Sequence, residues 1–186
     1  MRWPGKIPAG RVCSTPLMTI DLLPTICGIV GAALPPVQMD GVDVRSIITG
    51  QSQAPPHEYL AFYSGTELHA VRAGKWKLHF PHKYLTPIAE TRSDGKPAGY
   101  GKLQPKAITE SGVEGIASRH GYRVEQLPLS LFDLTVDPGE THNLAAENAD
   151  IVQRLSALGD KLRQELGDSL SQVVGKGVRP VGRNDL

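Results

Sequence analysis

The longest regular pattern in the chain is an apolar stripe towards its C-terminal end. Ile151, Val152, Leu155, Leu158, Leu162 and Leu166 recur at helical spacing among charged and polar neighbours, which marks a helix that buries one face. The pattern predicts a helix over 149–166, with Asn148 as N-cap and Gly167 as the stop. A second helix is predicted from Asp21 to Val30, ended by Gly31. Asp21 is expected to accept from the free N–H groups of its first turn. Pro24 falls in that turn, where its missing N–H has no partner to lose. Leu22, Ile26, Ile29 and Val30 share one face, which is expected to be buried.

Between these helices the pattern changes to strands. Leu60 to Tyr63 is one candidate, and Glu67 to Arg72 with Lys75 to Phe80 form a hairpin around Ala73-Gly74. With Arg72 opposite Lys75, one face carries Val71, Trp76, Leu78 and Phe80 with Glu67 and His69, and is expected to be core. The other carries Arg72, Lys75, Lys77 and His79 with Leu68 and Ala70, and reads as basic. Leu129 to Leu134 reads as a strand returning to the same sheet. In Asp137-Pro138-Gly139-Glu140, proline then glycine fits a type II turn with positive φ at Gly139. Met1 to Gly10 and Leu34 to Pro56 are rich in turns, the latter with one short helix at Ser46 to Thr49. Pro81 to Pro128, with glycines at 95, 99, 101, 112, 115 and 121, is weakly patterned. A structureless loop of that length is unusual, so an excursion packed on another surface is expected. The fold class is α+β: a small antiparallel sheet packed on a C-terminal amphipathic helix.

Composition adds limits. Of 186 residues, 40% are apolar and 21% charged, as in a globular chain. Twenty basic against 19 acidic residues leave a net charge of +1, which gives no reason to expect nucleic acid or a membrane surface as partner. Cys13 and Cys27 have no metal-binding spacing and read as small buried hydrophobes. The most apolar run, Ile26 to Leu34, is far shorter than the roughly 20 residues of a membrane span. MRWPGKIPAG has no apolar stretch of the kind that marks a signal peptide.

Five segments taken in order carry a resemblance: RWPGKIPAG (Arg2 to Gly10), DLLPT (Asp21 to Thr25), MDGVD (Met39 to Asp43), AVRAGKWKLHF (Ala70 to Phe80) and LFDLTVDPGETHNLA (Leu131 to Ala145). Together they resemble the formylglycine-dependent sulfatases of the alkaline phosphatase-like superfamily, and arylsulfatases most. The resemblance implies that residues 1–53 are the trailing edge of a large α/β domain, 54–175 the smaller C-terminal subdomain and 176–186 a tail. It implies a truncated chain, because Met1 matches the interior of a strand. For the parent it implies hydrolysis of sulfate monoesters, bound Ca²⁺, a formylglycine nucleophile, a missing N-terminal domain as partner of this piece, and a periplasmic, lysosomal or secreted home. Two alternatives stay open. One is a freestanding non-catalytic interaction module or relic. The other is a parent acting on phosphonate or phosphate monoesters.

The residues for that chemistry are not in the chain. The family nucleophile lies in C/S-x-P-x-R. Cys13-Ser14-Thr15-Pro16-Leu17 and Cys27-Gly28-Ile29-Val30-Gly31 lack both the proline and the arginine, and Ser14-Thr15-Pro16-Leu17-Met18 has methionine where arginine belongs. The paired aspartates of the family's cation site, whose hard oxygens suit Ca²⁺, are absent too. Asp40-Gly41 and Asp94-Gly95 are turn dipeptides. No catalytic or metal-ligating residue is therefore assigned, and the chain alone is expected to be inactive. Because the smaller domain of the family leans over the active-site mouth, Lys77, His79 and His82 are candidate rim contacts to an anionic ester. The plainer account makes Lys77 a solvated face residue and His79 a sheet-edge or interface residue. His57, His69, His120 and His142 carry still less functional weight.

Overall fold

The computed structural model describes residues 1–87 and 122–179. The glycines at 95–121, Asp94-Gly95, His120 and the end of the tail at 180–186 lie outside them. The chain divides into two units, Met1–Leu60 with Arg179–Leu186, and Ala61–Val178.

In the first unit a 3-10 turn, Thr19–Asp21, leads into helix α1, Leu22–Val30, which Gly31 ends at φ 71. Helix α2, Arg45–Thr49, ends at Gly50. The Asp21 carboxylate does not cap α1 as expected. It reaches back to accept from the Met18 N–H (2.9 Å) and sideways from the Val42 N–H (3.0 Å) and His57 Nε2 (2.8 Å). The buried side of α1 is also not the predicted one. Pro24, Thr25 and Cys27 are buried, and Thr25 Oγ1 accepts from the Val44 N–H at 3.0 Å. Leu22, Ile26, Ile29 and Val30 stand 42–68% exposed. The stripe exists, but the 41–44 segment crosses the other side of the helix. Gly41 permits that crossing, since a Cβ there would lie 2.0 Å from the Ile20 carbonyl oxygen.

The second unit holds a four-stranded sheet in the order β1-β2-β3-β6: β1 Leu60–Ser64, β2 Glu67–Ala73, β3 Trp76–His79 and β6 Ser130–Asp133. Strands β2 and β3 pair with Ala73 opposite Trp76 and Arg72 opposite Lys77. The turn is therefore Gly74-Lys75 and not Ala73-Gly74. Positive φ (58°) is needed at its first central position, which glycine supplies. This moves each cross-strand partner by two residues, so the predicted faces keep their membership.

Both faces are covered. Val71 and Leu78 on one face, and Leu68 and Ala70 on the other, are buried completely. Helix α3, Ala149–Leu166, packs with Gly159 against Phe80: a Cβ at Gly159 would lie 2.2 Å from Phe80 Cζ. The Arg163 guanidinium sits 4.2 Å over the same ring. Asn148 precedes α3 without capping it, its Nδ2 donating to the Leu144 carbonyl. After Gly167, a bridge between Asp168 and Val173 and bonds from the Lys176 and Gly177 N–H groups to the Gln164 and Glu165 carbonyls fold the chain back on the helix end.

The 81–128 stretch is not structureless at its ends. β4, His82–Pro87, and β5, Tyr122–Leu127, form a separate antiparallel pair with His82 opposite Leu127.

Candidate functional site

The three sequence candidates do converge, and they do so where β3 hands over to β4. Lys77 and His79 project from β3 and His82 opens β4. They meet a residue from the Asp137–Glu140 turn. The Glu140 N–H bonds the Asp137 carbonyl at 3.2 Å, but positive φ falls on Glu140 (55°) and not on Gly139. The predicted type II turn is thus replaced by one that puts a non-glycine residue in the left-handed region. The Asp137 carboxylate fixes it, accepting from the Thr141 and His142 N–H groups at 2.8 and 2.9 Å. Asn143 ties the same loop to β6, accepting from the Leu131 N–H and donating to the Leu129 carbonyl.

This loop aims the Glu140 carboxylate at the sheet. Lys77 Nζ donates to Oε1 at 2.6 Å and His79 Nε2 to Oε2 at 2.7 Å. Burial pushes the Glu140 carboxyl up, but Lys77 and His79 outweigh it and hold it below the usual glutamate range. His79 is pushed down, first by burial and then by the Lys77 charge, against the pull of Glu140. Its Nδ1 is buried without a hydrogen-bond partner among the described residues. His82 is 5% exposed. Its Nδ1 donates to the Phe80 carbonyl at 2.7 Å, and burial again pushes its pKa down. The His82 ring stacks on His69 at 3.9 Å and on His79 at 5.4 Å. His69 Nε2 in turn lies 3.0 Å from a Glu67 carboxylate oxygen.

Chemically, the charged groups of this cluster are paired with one another, while His79 Nδ1 is left over. The Lys77 ammonium already faces a carboxylate and lies 4.8 Å over the Phe62 ring, so Lys77 is not the solvated face residue of the plainer account. Two of the imidazoles favour the neutral form. The sequence did not single out Glu140 or His69 for this cluster. Glu140 lay inside a quoted segment but read only as a turn residue, and His69 meets His82 because the chain bends at Pro81. Elsewhere, His57 serves Asp21, Cys27 is buried as expected and Cys13 is exposed. Among the described residues no group of three or more His, Cys, Asp or Glu is arranged to hold a metal ion. No helix among them is long and apolar enough to cross a membrane.

Residues 55–181 match the family described as the C-terminal region of aryl-sulfatase. The chain belongs to the aryl-sulfatase family. Arylsulfatase D of Homo sapiens is 30% identical over 175 residues, covering 88% of this chain and 27% of the relative. Arylsulfatase A of Bos taurus is 33% identical over 147 residues, 76% and 24% of the two chains. Steryl-sulfatase of Mus musculus is 31% identical over 148 residues, 79% and 22%. The chain thus spans about a quarter of the length of these relatives. Among solved structures, Ps i-CgsB superposes with a TM-score of 0.51 at 19% identity, over 86% of this chain and 27% of that one. BT4656, in complex with its substrate D-glucosamine-2-N,6-O-disulfate, gives 0.50 at 18%, over 88% and 27%. At that identity the likeness shows the fold: a small antiparallel sheet with a C-terminal helix.

Proposed function

We propose that this chain is the C-terminal portion of a sulfuric ester hydrolase, and that it is not catalytic by itself. The observation that carries the reading is the match of residues 55–181 to the C-terminal region of the family, in a chain that has no C/S-x-P-x-R sequence. Formylglycine and Ca²⁺ then belong to an N-terminal sulfatase portion, and residues 1–53 are the trailing edge of that portion's α/β domain. The exposed Leu22, Ile26, Ile29 and Val30 stripe supports this, because a contiguous apolar surface calls for a partner. Lys77, His79 and His82 remain the candidates for contact with the ester. An arriving sulfate would have to compete with Glu140 for Lys77.

The test is an assay of the purified chain on a chromogenic aryl sulfate with Ca²⁺, alone and coexpressed with the N-terminal three-quarters of a relative. No turnover alone and turnover with the added portion is the expected result. Turnover by the chain alone would overturn the reading. No turnover and no association would leave the freestanding module in its place. Preference of the assembled enzyme for a phosphonate or phosphate monoester would change the substrate class.

A further inference from the structure

The sheet and the β4–β5 pair are separate ladders, and the chain passes between them through Phe80, Pro81 and His82. His82 is the buried residue at which that passage enters β4. His82 Nδ1 donates to the Phe80 carbonyl, and its ring lies near-parallel to those of His69 on β2, at 3.9 Å, and His79 on β3, at 5.4 Å. We propose that this triple imidazole stack is an acid-sensitive joint: protonation of the buried His82 frees the β4–β5 pair from the sheet while the sheet and α3 stay packed. The inference does not depend on the proposed catalytic parent.

The charges around His82 set the sign. From β2 it meets His69 and, further off, Glu67. From β3 it meets His79 and Lys77, whose carboxylate partner Glu140 is shared between them. Its cross-strand partner on β5 is Leu127, which has no charge, and the guanidinium of Arg163 on α3 lies over the neighbouring Phe80. Glu67 is the carboxylate that favours a charged His82, and it is bound to His69. Burial is the largest opposing effect, and with His69 and Lys77 it outweighs the Phe80 hydrogen bond and Glu67, which favour the charge. A proton on His82 therefore places a desolvated cation against the rings of His69 and His79. The relief available is to expose the ring, which breaks the stack at the point where β4 begins. The stabilising neighbours of the sheet, Asp133 with Lys75 and Asp168 with Arg163, are carboxylate pairs that stay ionised in the histidine range.

Amide hydrogen exchange on the full chain at about pH 7 and about pH 5, corrected for intrinsic exchange, tests the joint. Protection of peptides covering 82–87 and 122–127 should fall severalfold at the lower pH, with β2, β3 and α3 unchanged. In His82→Phe, which keeps a planar ring and removes the proton site, that fall should disappear. In His69→Phe, which keeps the Phe80 bond and removes the like charge, it should shrink. Equal arm protection at both pH values, arm and core losing protection together, no core protection at the higher pH, or a wild-type response in His82→Phe would each overturn the proposal. If His82→Phe does not protect α3, the His69→Phe comparison and the wild-type contrast between arm and core decide.

Discussion

Glu140 holds the left-handed backbone region, which for an L residue costs about 1–2 kcal/mol, and it does so with a side chain that two groups use at once. The strain persists because Lys77 and His79 are poorly exposed and need an acceptor. Two substitutions separate these effects. Glu140→Ala keeps the strain and strips Lys77 of its partner, so the chain should lose about 1–3 kcal/mol by denaturant unfolding. Glu140→Gly removes the same carboxylate but relieves the backbone, and should be more stable than the alanine variant by about 1 kcal/mol. Equal stabilities for the two would show that the backbone carries no strain. Gly159 makes a second residue-scale prediction. Alanine is the better helix former by about 1 kcal/mol, yet a Cβ there would lie 2.2 Å from Phe80 Cζ. Overpacking of that kind costs about 1–3 kcal/mol. Gly159→Ala should lower the melting temperature, and a rise would mean that the Phe80 ring has room to move aside.

At the scale of elements, what could be read from the sequence was whatever one element's own period specifies. α3 shows six apolar positions in a polar helix, and the structure begins and ends it where the pattern does. The hairpin faces were legible because side-chain alternation is insensitive to a two-residue change of partner. The turn itself was not, since that depends on which central position needs positive φ. The β4–β5 pair was invisible because HKYLTP and YRVEQL mix polar and apolar residues and find each other across a long sequence separation. For the site, three members were legible as charged or titratable residues after the hairpin. Their satisfaction by Glu140 and His69 was not, because it depends on a loop and a bend. α1 is the instructive failure. Periodicity says that a face is apolar but not that this chain covers it, and Leu22, Ile26, Ile29 and Val30 are exposed while Thr25 and Cys27 are buried. Replacing Ile26 and Ile29 together by lysine should therefore reduce self-association of the chain in light scattering and leave its unfolding midpoint within about 0.5 kcal/mol. Destabilisation well beyond that would show that the stripe is packed.

For the whole molecule, the two units carry different titratable groups, and acid should separate them. In Met1–Leu60 the shifted groups include Asp21 and Asp43, both lowered from 3.8. In Ala61–Val178 they include His79 and His82, both lowered from 6.5, besides Glu140, Asp137, Asp168 and Asp133, the last held at about 2. A histidine whose folded pKa lies below its unfolded value leaves the unfolded chain binding more protons, so stability is full above 6.5 and falls as pH drops below it. A carboxylate with a lowered pKa keeps its contribution above its ordinary value and loses it as pH falls through the folded one. Mild acid should therefore weaken the second unit through its histidines, and stronger acid should weaken both through their carboxylates. The chain supplies its own probes, with Trp3 in one unit and Trp76 in the other. Urea unfolding followed by fluorescence in Trp3→Phe, which keeps Trp76, should show a midpoint that falls as pH drops below 6.5. In Trp76→Phe, which keeps Trp3, the midpoint should hold until the aspartates titrate, below their ordinary 3.8. Midpoints that move together through the histidine range would show that the units unfold as one, and that the titration of His79 and His82 is shared by the entire chain.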